Sequence, residues 1–406
     1  MSLTTPIRLG VVCDYLEEHW PSMDLMPEMI LRHLGEQHTT EILAERILPP
    51  WRHRLIKLPG LGNSGLARNA DRVWNRHLLY PRQIRQYAKS NRFDLFHLVD
   101  HSYAQLLHDL PAGRTIVTCH DLDTFKCLLE PKSEPRPKWF KALANRSLRG
   151  LQKAAAIACN SQATYTAILQ YGLLPQEKLR VVHVAVHPAC TPNPNIEADA
   201  RATAFLGPLS TDLTPEILHV GSNIPRKRID VLLNVFERIQ KAIPGARLIK
   251  VGGRFTPEQQ SLVDSLGIAA AITFVPYVDP EDYAVIAAIY RRASILLQTS
   301  DSEGFGLPVA EAMACGAVVL ASDLPILKEV GGDAAIYRPV AAIEEWANAA
   351  ITFLNEKASH SKNYQDRRAK GITQAARFSW NNHVNMLMQM YRDVLNNRPV
   401  TSLSQI

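Results

Sequence analysis

Short runs of β-branched and apolar residues alternate with amphipathic stretches along almost the whole chain. Ile7 to Cys13, Thr39 to Leu43, Leu95 to Val99, Thr115 to Cys119, Ala155 to Cys159 and Leu179 to Val184 read as strands. Leu25 to Leu34 reads as a helix between the first two. Strands separated by helices predict parallel sheets with crossover connections. The pattern breaks from His187 to Leu213, where Pro188, Pro192, Pro194 and Pro208 interrupt the periodicity. That segment is expected to be a linker, with a short helix near Glu197 to Phe205. A second series then begins: Ile217 to Val220, Arg247 to Val251, Ile272 to Val275, Ile295 to Thr299 and Val318 to Ala321 are predicted strands. Between the first two of these, Ile229, Leu232, Leu233, Phe236 and Ile239 keep helical spacing.

Two such series predict an α/β chain with two doubly wound, Rossmann-like domains facing a cleft. The expected boundaries are residues 1–195 and 210–380. The amphipathic stretch Trp380 to Leu395 follows the completed second sheet, so a closing helix, about residues 381–406, is expected to cross back to the first domain.

The composition, 46% hydrophobic and 21% charged over 406 residues, is that of a globular protein with material for two cores. No apolar run is long enough to span a bilayer, and the first residues read as a strand instead of a signal peptide. The six cysteines are scattered without a CxxC pair, which fits buried reduced thiols and a cytoplasmic protein. The net charge of +6 is uneven. Arg46 to Arg92 carries eleven Lys or Arg against one acid, Asp71. Such a region suits an anionic membrane or a phosphorylated acceptor, with a solvated helix face as the plain alternative. No zinc-finger spacing or RNP-like sequence supports nucleic acid as a partner.

Three places carry candidate chemistry. The first is Asp301-Ser302-Glu303-Gly304-Phe305-Gly306-Leu307-Pro308-Val309-Ala310-Glu311, directly after a predicted strand. Pro308 suits a first helical turn and Gly316 a helix end. Gly304, Phe305 and Gly306 then form a loop at a helix N-terminus, where N–H groups and the helix dipole favour a phosphate or diphosphate. Carboxylates repel phosphate, so Glu303 and Glu311 suit sugar or ribose hydroxyls. Acids that merely compensate the dipole are the alternative.

The second is Gly221-Ser222-Asn223-Ile224-Pro225-Arg226-Lys227-Arg228, between a strand and a helix. There Arg226 and Lys227 suit a diphosphate leaving group, or form a basic surface turn. The third is His120-Asp121 at a strand end, where His120 suits a substrate hydroxyl and Asp121 suits orienting it or accepting a proton. A capping Asp beside a satisfied histidine is the other reading. His97, Asp100 and His101 end an earlier strand, but their spacing matches no zinc pattern, and no metal is expected.

At these residues the chain resembles the family 4 retaining glycosyltransferases of the GT-B fold. The resemblance rests on Glu303 and Glu311 around Gly-Phe-Gly-Leu-Pro, on the Arg226-Lys227 turn, and on Val251-Gly252-Gly253 and Phe274 to Val278, which follow that turn. Gly316, Ser322 and Phe378-Ser379-Trp380 add to it, and it covers about residues 110 to 395. It implies transfer of a hexose such as mannose or glucose from a nucleotide-diphosphate-sugar to a glycan or lipid-linked acceptor, without metal or cofactor.

In this resemblance Arg226 and Lys227 contact the donor diphosphate, near Gly221 and Ser222. Glu311 binds the ribose, and Glu303 holds sugar hydroxyls. Gly304, Phe305, Gly306 and Leu307 offer backbone donors. Pro276, Tyr277 and Val278 border the base, and His120, with Asp121, faces the transferred sugar. Two departures stand out. Asp14 to Asp24 holds no glycine where the family often has a glycine-rich loop, and Ser222 stands where some members have Arg. A catalytically inactive sugar-nucleotide-binding relative and a nucleotide-sugar epimerase of the same fold are the competing readings.

Overall fold

The computed structural model describes residues 5–18, 20–57, 64–208, 211, 214–275, 278 and 282–400. The chain forms two compact units, Met1–His183 with Trp380–Ile406, and Val184–Ser379.

The first unit is built on a six-stranded parallel sheet of β1 (Ile7–Val12), β2 (Ile42–Ile47), β3 (Leu95–Leu98), β4 (Thr115–Cys119), β5 (Ala156–Cys159) and β6 (Leu179–Val181). The strand order is β2-β1-β3-β4-β5-β6. Strands β3, β4 and β5 are buried at every position, because helices cover both faces of a parallel sheet. Their unbroken apolar runs follow from that. The second strand differs from expectation. Residues 39–41 form a turn, and β2 starts at Ile42 and continues through Glu45 and Arg46 to Ile47. It is an edge strand with exposed positions, so polar residues fit where an apolar run was sought.

The helix Trp380–Leu395 belongs to this unit. Its polar side chains are anchored: Tyr391 Oη lies 2.7 Å from His97 Nδ1, Arg180 donates to Asp393 at 2.8 Å, and His383 Nδ1 lies 2.8 Å from the His183 carbonyl. His97 is thereby committed to the core, its Nε2 meeting Thr118 Oγ1 at 2.8 Å.

The second unit repeats the design with β7 (Glu216–Val220), β8 (Arg247–Val251), β9 (Ile272–Val275), β10 (Ile295–Gln298), β11 (Val318–Ser322) and β12 (Ile336–Arg338), in the order β12-β11-β10-β7-β8-β9. The three-residue β12 has no counterpart among the predicted strands. The segment His187 to Leu213, expected as a linker, clusters with this unit, which begins at Val184. Its helix Ile196–Leu206 is capped by Asn195 and tied to the helix Tyr283–Arg292 by Asp199 with Arg291 and Thr203 with Arg292.

All six cysteines are buried and free. Among the described residues no helix is long and apolar enough to cross a membrane.

Candidate functional site

In an open parallel sheet the carboxyl ends of strands separate most where the winding reverses, and ligands bind there. In the second unit the chain winds outward from β7 through β8 and β9, then crosses back to place β10 on the other side of β7. The pairing of Ile295 with Ile217 and Leu296 with Leu218 brings the two carboxyl ends together. The turn after β7 carries Arg226 and Lys227, and the loop after β10 carries Glu303. Topology therefore joins residues far apart in sequence.

Lys227 Nζ donates to Glu303 Oε1 at 2.7 Å and Arg226 Nη1 to Glu303 Oε2 at 2.9 Å. Gln298 Nε2 and Ser300 Oγ each donate to Oε1 at 2.6 Å. Burial alone would raise the Glu303 carboxyl, but Lys227 and Arg226 outweigh it and hold it below the usual range. The backbone is stitched as well. Asp301 N donates to the Arg226 carbonyl, Thr299 Oγ1 to the Lys227 carbonyl, and Arg226 Nη1 to the Ser302 carbonyl. Gln298 and Ser300 were not among the sequence candidates. Their only signal is position at the strand end that leads into the glycine loop.

The helix after this loop runs Leu307–Ala314, with Pro308 in its first turn and Gly306 as N-cap at φ 89°. A Cβ on Gly306 would stand 2.6 Å from Leu327 Cδ2, so glycine is required twice over, for the left-handed backbone and for space. Gly316, at φ 81°, ends the helix: its N–H donates to the Met313 carbonyl and that of Ala317 to the Ala312 carbonyl, a Schellman closure. Phe305 is buried edge-on against Phe378, with centroids 5.4 Å apart. Gly304 and Leu307 are half-buried.

Glu311 lies one turn into the helix, 3% exposed. Tyr290 Oη donates to its Oε2 at 2.9 Å, and Tyr283 Oη donates to Oε1. Burial raises this carboxyl to about 7, against the opposing pull of the two tyrosines. Both of its oxygens are engaged by protein hydroxyls, which the sequence reading did not anticipate. The tyrosines stand seven residues apart on one helix, hence on one face. Tyr283 also stacks on His187 at 4.0 Å between centroids.

Of the other expected donor-side residues, Gly221 holds φ 154° next to Lys227. Ser222 is exposed and Val278 half-buried. Pro276 and Tyr277 lie outside the described residues.

The first unit has its own reversal between β1 and β3, and the expected His and Asp residues collect there. His101 stands 3.3 Å from Asp100 and 3.5 Å from Asp121. Burial would lower its pKa, but Asp121 and Asp100 prevail and raise it. Burial lowers the pKa of His120, and its Nε2–H donates to the Val99 carbonyl at 2.8 Å. Asp121 also accepts the Asp123 N–H at 2.9 Å, so its capping role and its charged role coexist. The loop without glycines contributes Asp14, buried beside Asp100. Burial, then the Asp100 charge, pushes its carboxyl well up. No group of three or more His, Cys, Asp or Glu disposed to hold a metal ion is found among the described residues.

The basic stretch is partly compensated by acids outside it. Arg72 and Arg76 pair with Glu18, Arg85 with Asp109, and Arg92 with Glu45.

Residues 210–371 match the family description "Glycosyl transferases group 1", and residues 28–189 match "Glycosyltransferase Family 4". The serotype-specific mannosyltransferase WbdA of Escherichia coli is 24% identical over 300 residues, which is 72% of this chain and 35% of WbdA. The D-inositol 3-phosphate glycosyltransferase of Segniliparus rotundus is 31% identical over 253 residues, 59% of this chain and 52% of that protein. The chain thus spans between about a third and about half the length of these curated relatives. Among solved structures, a sucrose-phosphate synthase from Thermosynechococcus elongatus is similar with a TM-score of 0.69 at 17% identity, covering 96% of this chain and 100% of that one. HepE from Anabaena, in complex with UDP and glucose, has a TM-score of 0.66 at 15% identity, covering 95% and 100%.

Proposed function

The chain belongs to the family 4 glycosyltransferases of the GT-B fold, and from that premise we propose that it is a metal-independent, retaining glycosyltransferase moving a hexose from a nucleotide-diphosphate-sugar to a glycan or lipid-linked acceptor. One observation carries the reading: Lys227 and Arg226 converge with Glu303 at the winding reversal of the second sheet, beside a helix end opened by Gly304 and Gly306. Two fixed cations and the positive end of a helix suit a diphosphate whose charge grows as the glycosidic bond breaks. Glu303 suits the sugar hydroxyls, Glu311 the ribose, and His120 with Asp121 the transferred sugar. Retention follows if the leaving phosphate takes the acceptor proton on the face it departs from. Mannose or glucose is the proposed hexose. The similarity to a mannosyltransferase and to a structure holding UDP and glucose supports that choice.

The test is a panel of UDP-, GDP- and ADP-hexoses. The true donor raises the melting temperature, because it binds only the folded state. With acceptor glycans it yields product whose anomeric configuration, read by NMR, matches the donor's. An inverted product overturns retention. No shift and no transfer with any donor overturns the activity.

The same reading places the protein in the cytoplasm, peripheral on the inner face of the membrane. Support comes from the helix Gly65–Trp74, where exposed Leu66 and Val73, seven residues apart, share a face. Sedimentation with anionic vesicles is expected to carry the protein down at low salt and release it at high salt. Equal recovery in the supernatant with and without anionic lipid overturns it.

A further inference from the structure

Beneath the turn that carries Lys227 lies a second amine that the reading above leaves unused. Lys250 sits in β8, in the run Arg247-Leu248-Ile249-Lys250-Val251, and is 0% exposed. A buried ammonium in a sheet covered on both faces is costly unless it does something there. Its Nζ donates to the Gly221 carbonyl at 2.6 Å and to the Val251 carbonyl at 3.2 Å. The first of these carbonyls begins the Gly221–Arg228 turn.

The surroundings leave that carbonyl little freedom. Gly252 has φ 103°, and a Cβ on it would stand 2.4 Å from Gly221 O. Gly221 N donates to the Val251 carbonyl at 3.0 Å. Farther along the turn, Asn223 Nδ2 donates to the Gly253 carbonyl at 2.7 Å. The start of the turn is thus clamped between a glycine and an amine, and its end delivers Arg226 and Lys227 to Glu303. The Lys227 Cε and Nζ and the His219 Nε2 stand 3.5, 3.7 and 3.7 Å from the point where a Gly221 Cβ would be.

We propose that Lys250 is a positioning residue for diphosphate binding: it holds Gly221 so that Lys227 is presented to the diphosphate, and it gains a proton when that anion arrives. The proposal rests on the diphosphate reading of the Arg226-Lys227 turn. Burial, then the charge of Lys227, lowers the Lys250 amine to about 7, so it is divided between its two forms near neutrality. The groups facing it are the Gly221 and Val251 carbonyls, Lys227 from the turn, and His219 from β7. His219 is neutral: burial, then Lys250, lowers it to about 3, and its Nδ1–H donates to the Leu297 carbonyl at 3.0 Å. Among the described residues no carboxylate pairs with Lys250, and Glu303 is engaged by Lys227. An added anion next to Lys227 therefore favours the charged form of Lys250. The balance is one proton passed from a buffer acid to Nζ per diphosphate bound, one N–H bond forming on the amine as the buffer acid's bond to that proton breaks.

The experiment is calorimetric titration of the full chain with inorganic pyrophosphate and with UDP. It is run at about pH 8 in two buffers of different ionisation enthalpy, on the wild type, Lys250→Met and Lys250→Arg. The wild type is expected to take up close to one proton per ligand. Lys250→Met, near in volume and without the buried amine, is expected to take up none, to bind both ligands about tenfold more weakly, and to raise the donor KM more than it lowers kcat. Lys250→Arg, charged throughout, is expected to bind without uptake. Ligand binding by the wild type with no proton uptake, or equal uptake and affinity in Lys250→Met, overturns the role of Lys250 alone. Failure of the wild type to bind pyrophosphate or any nucleoside diphosphate overturns the diphosphate reading itself, and this inference with it.

Discussion

Lys227 and Glu303 meet at 2.7 Å, with side chains only 9% and 5% exposed. Each is the other's buried counter-ion, and the two come from turns at neighbouring strand ends. Removing one partner of a buried pair costs about 3–5 kcal/mol, because the survivor stays desolvated and unpaired. Here Arg226, Gln298 and Ser300 still hold the carboxylate if Lys227 is lost, so the lower end applies. Lys227→Ala and Glu303→Gln are each expected to lower turnover by more than about tenfold, roughly 1.4 kcal/mol of transition-state stabilisation. The double variant Lys227→Met/Glu303→Gln should recover part of the melting temperature and none of the rate. Near-normal initial rates in a folded single variant would remove that residue from the site.

Glu311 makes a pH-dependent contribution of opposite sign to that of an ordinary paired acid. Burial raises its folded pKa from 4.5 to about 7, so between these values the folded state holds a proton that the unfolded state has lost. Its contribution is favourable below pH 4.5, fades as pH rises, and is gone above about 7. A shift of this size corresponds to roughly 3 kcal/mol. Glu311→Gln keeps an acceptor for one tyrosine and offers a donor to the oxygen of the other. It is therefore expected to raise the melting temperature at about pH 8 and not at about pH 4, while weakening donor binding. An equal change at both pH values would show that burial of the charge is not its cause.

What the sequence could reveal follows from the range of the interactions involved. Strand and helix placement in the sheets is a local pattern, and β4, β8, β9 and the closing helix Trp380–Leu395 lie where periodicity put them. The glycine loop and its flanking acids were readable because Gly306 and Gly316 answer to local backbone needs. Other features depended on partners far along the chain. Nothing local distinguishes Lys250 from a surface lysine, since its burial arises from strand order. Tyr283 and Tyr290 reach Glu311 across 28 and 21 residues. The excess charge of Arg46 to Arg92 looked larger than it is because Glu18 and Asp109 lie outside the counted window. Edge strand β2 was misplaced because edge exposure removes the apolar signal that locates interior strands.

Gly306→Ala should be costly for two separable reasons. The left-handed φ of 89° costs a non-glycine residue about 1–2 kcal/mol. The new methyl would also stand 2.6 Å from Leu327 Cδ2, so Leu327 must move. Leu327→Ala opens that space and leaves the backbone term, so in its background Gly306→Ala should cost less than in the wild type. The measurement is a double-mutant cycle by urea denaturation. If the two substitutions are additive, the contact with Leu327 is not part of the cost.

Mild acid should destabilise the fold. Burial lowers His97 and His219 to about 3, and His77 and His383 to about 4, from 6.5. His33 and His120 are lowered in the same sense. A histidine kept neutral by the fold takes up its proton only on unfolding, so each of the four strongly lowered ones contributes stability that is lost as pH falls below 6.5, at about 1.4 kcal/mol per pH unit. Glu311, raised by burial to about 7, acts oppositely between pH 5 and 6.5 and offsets about one of the four strongly shifted histidines, and Asp14 is raised in the same sense. His101 is raised, so its own contribution is already present below pH 6.5 and is lost as pH rises. The net expectation is a fall of roughly 3 kcal/mol per pH unit below about 6, read from urea midpoints across that range. His97→Gln, whose amide can still meet Thr118 and Tyr391, should flatten the slope by about one proton. An unchanged slope in that variant would mean that His97 is protonated in the folded protein, contrary to the effect of its burial.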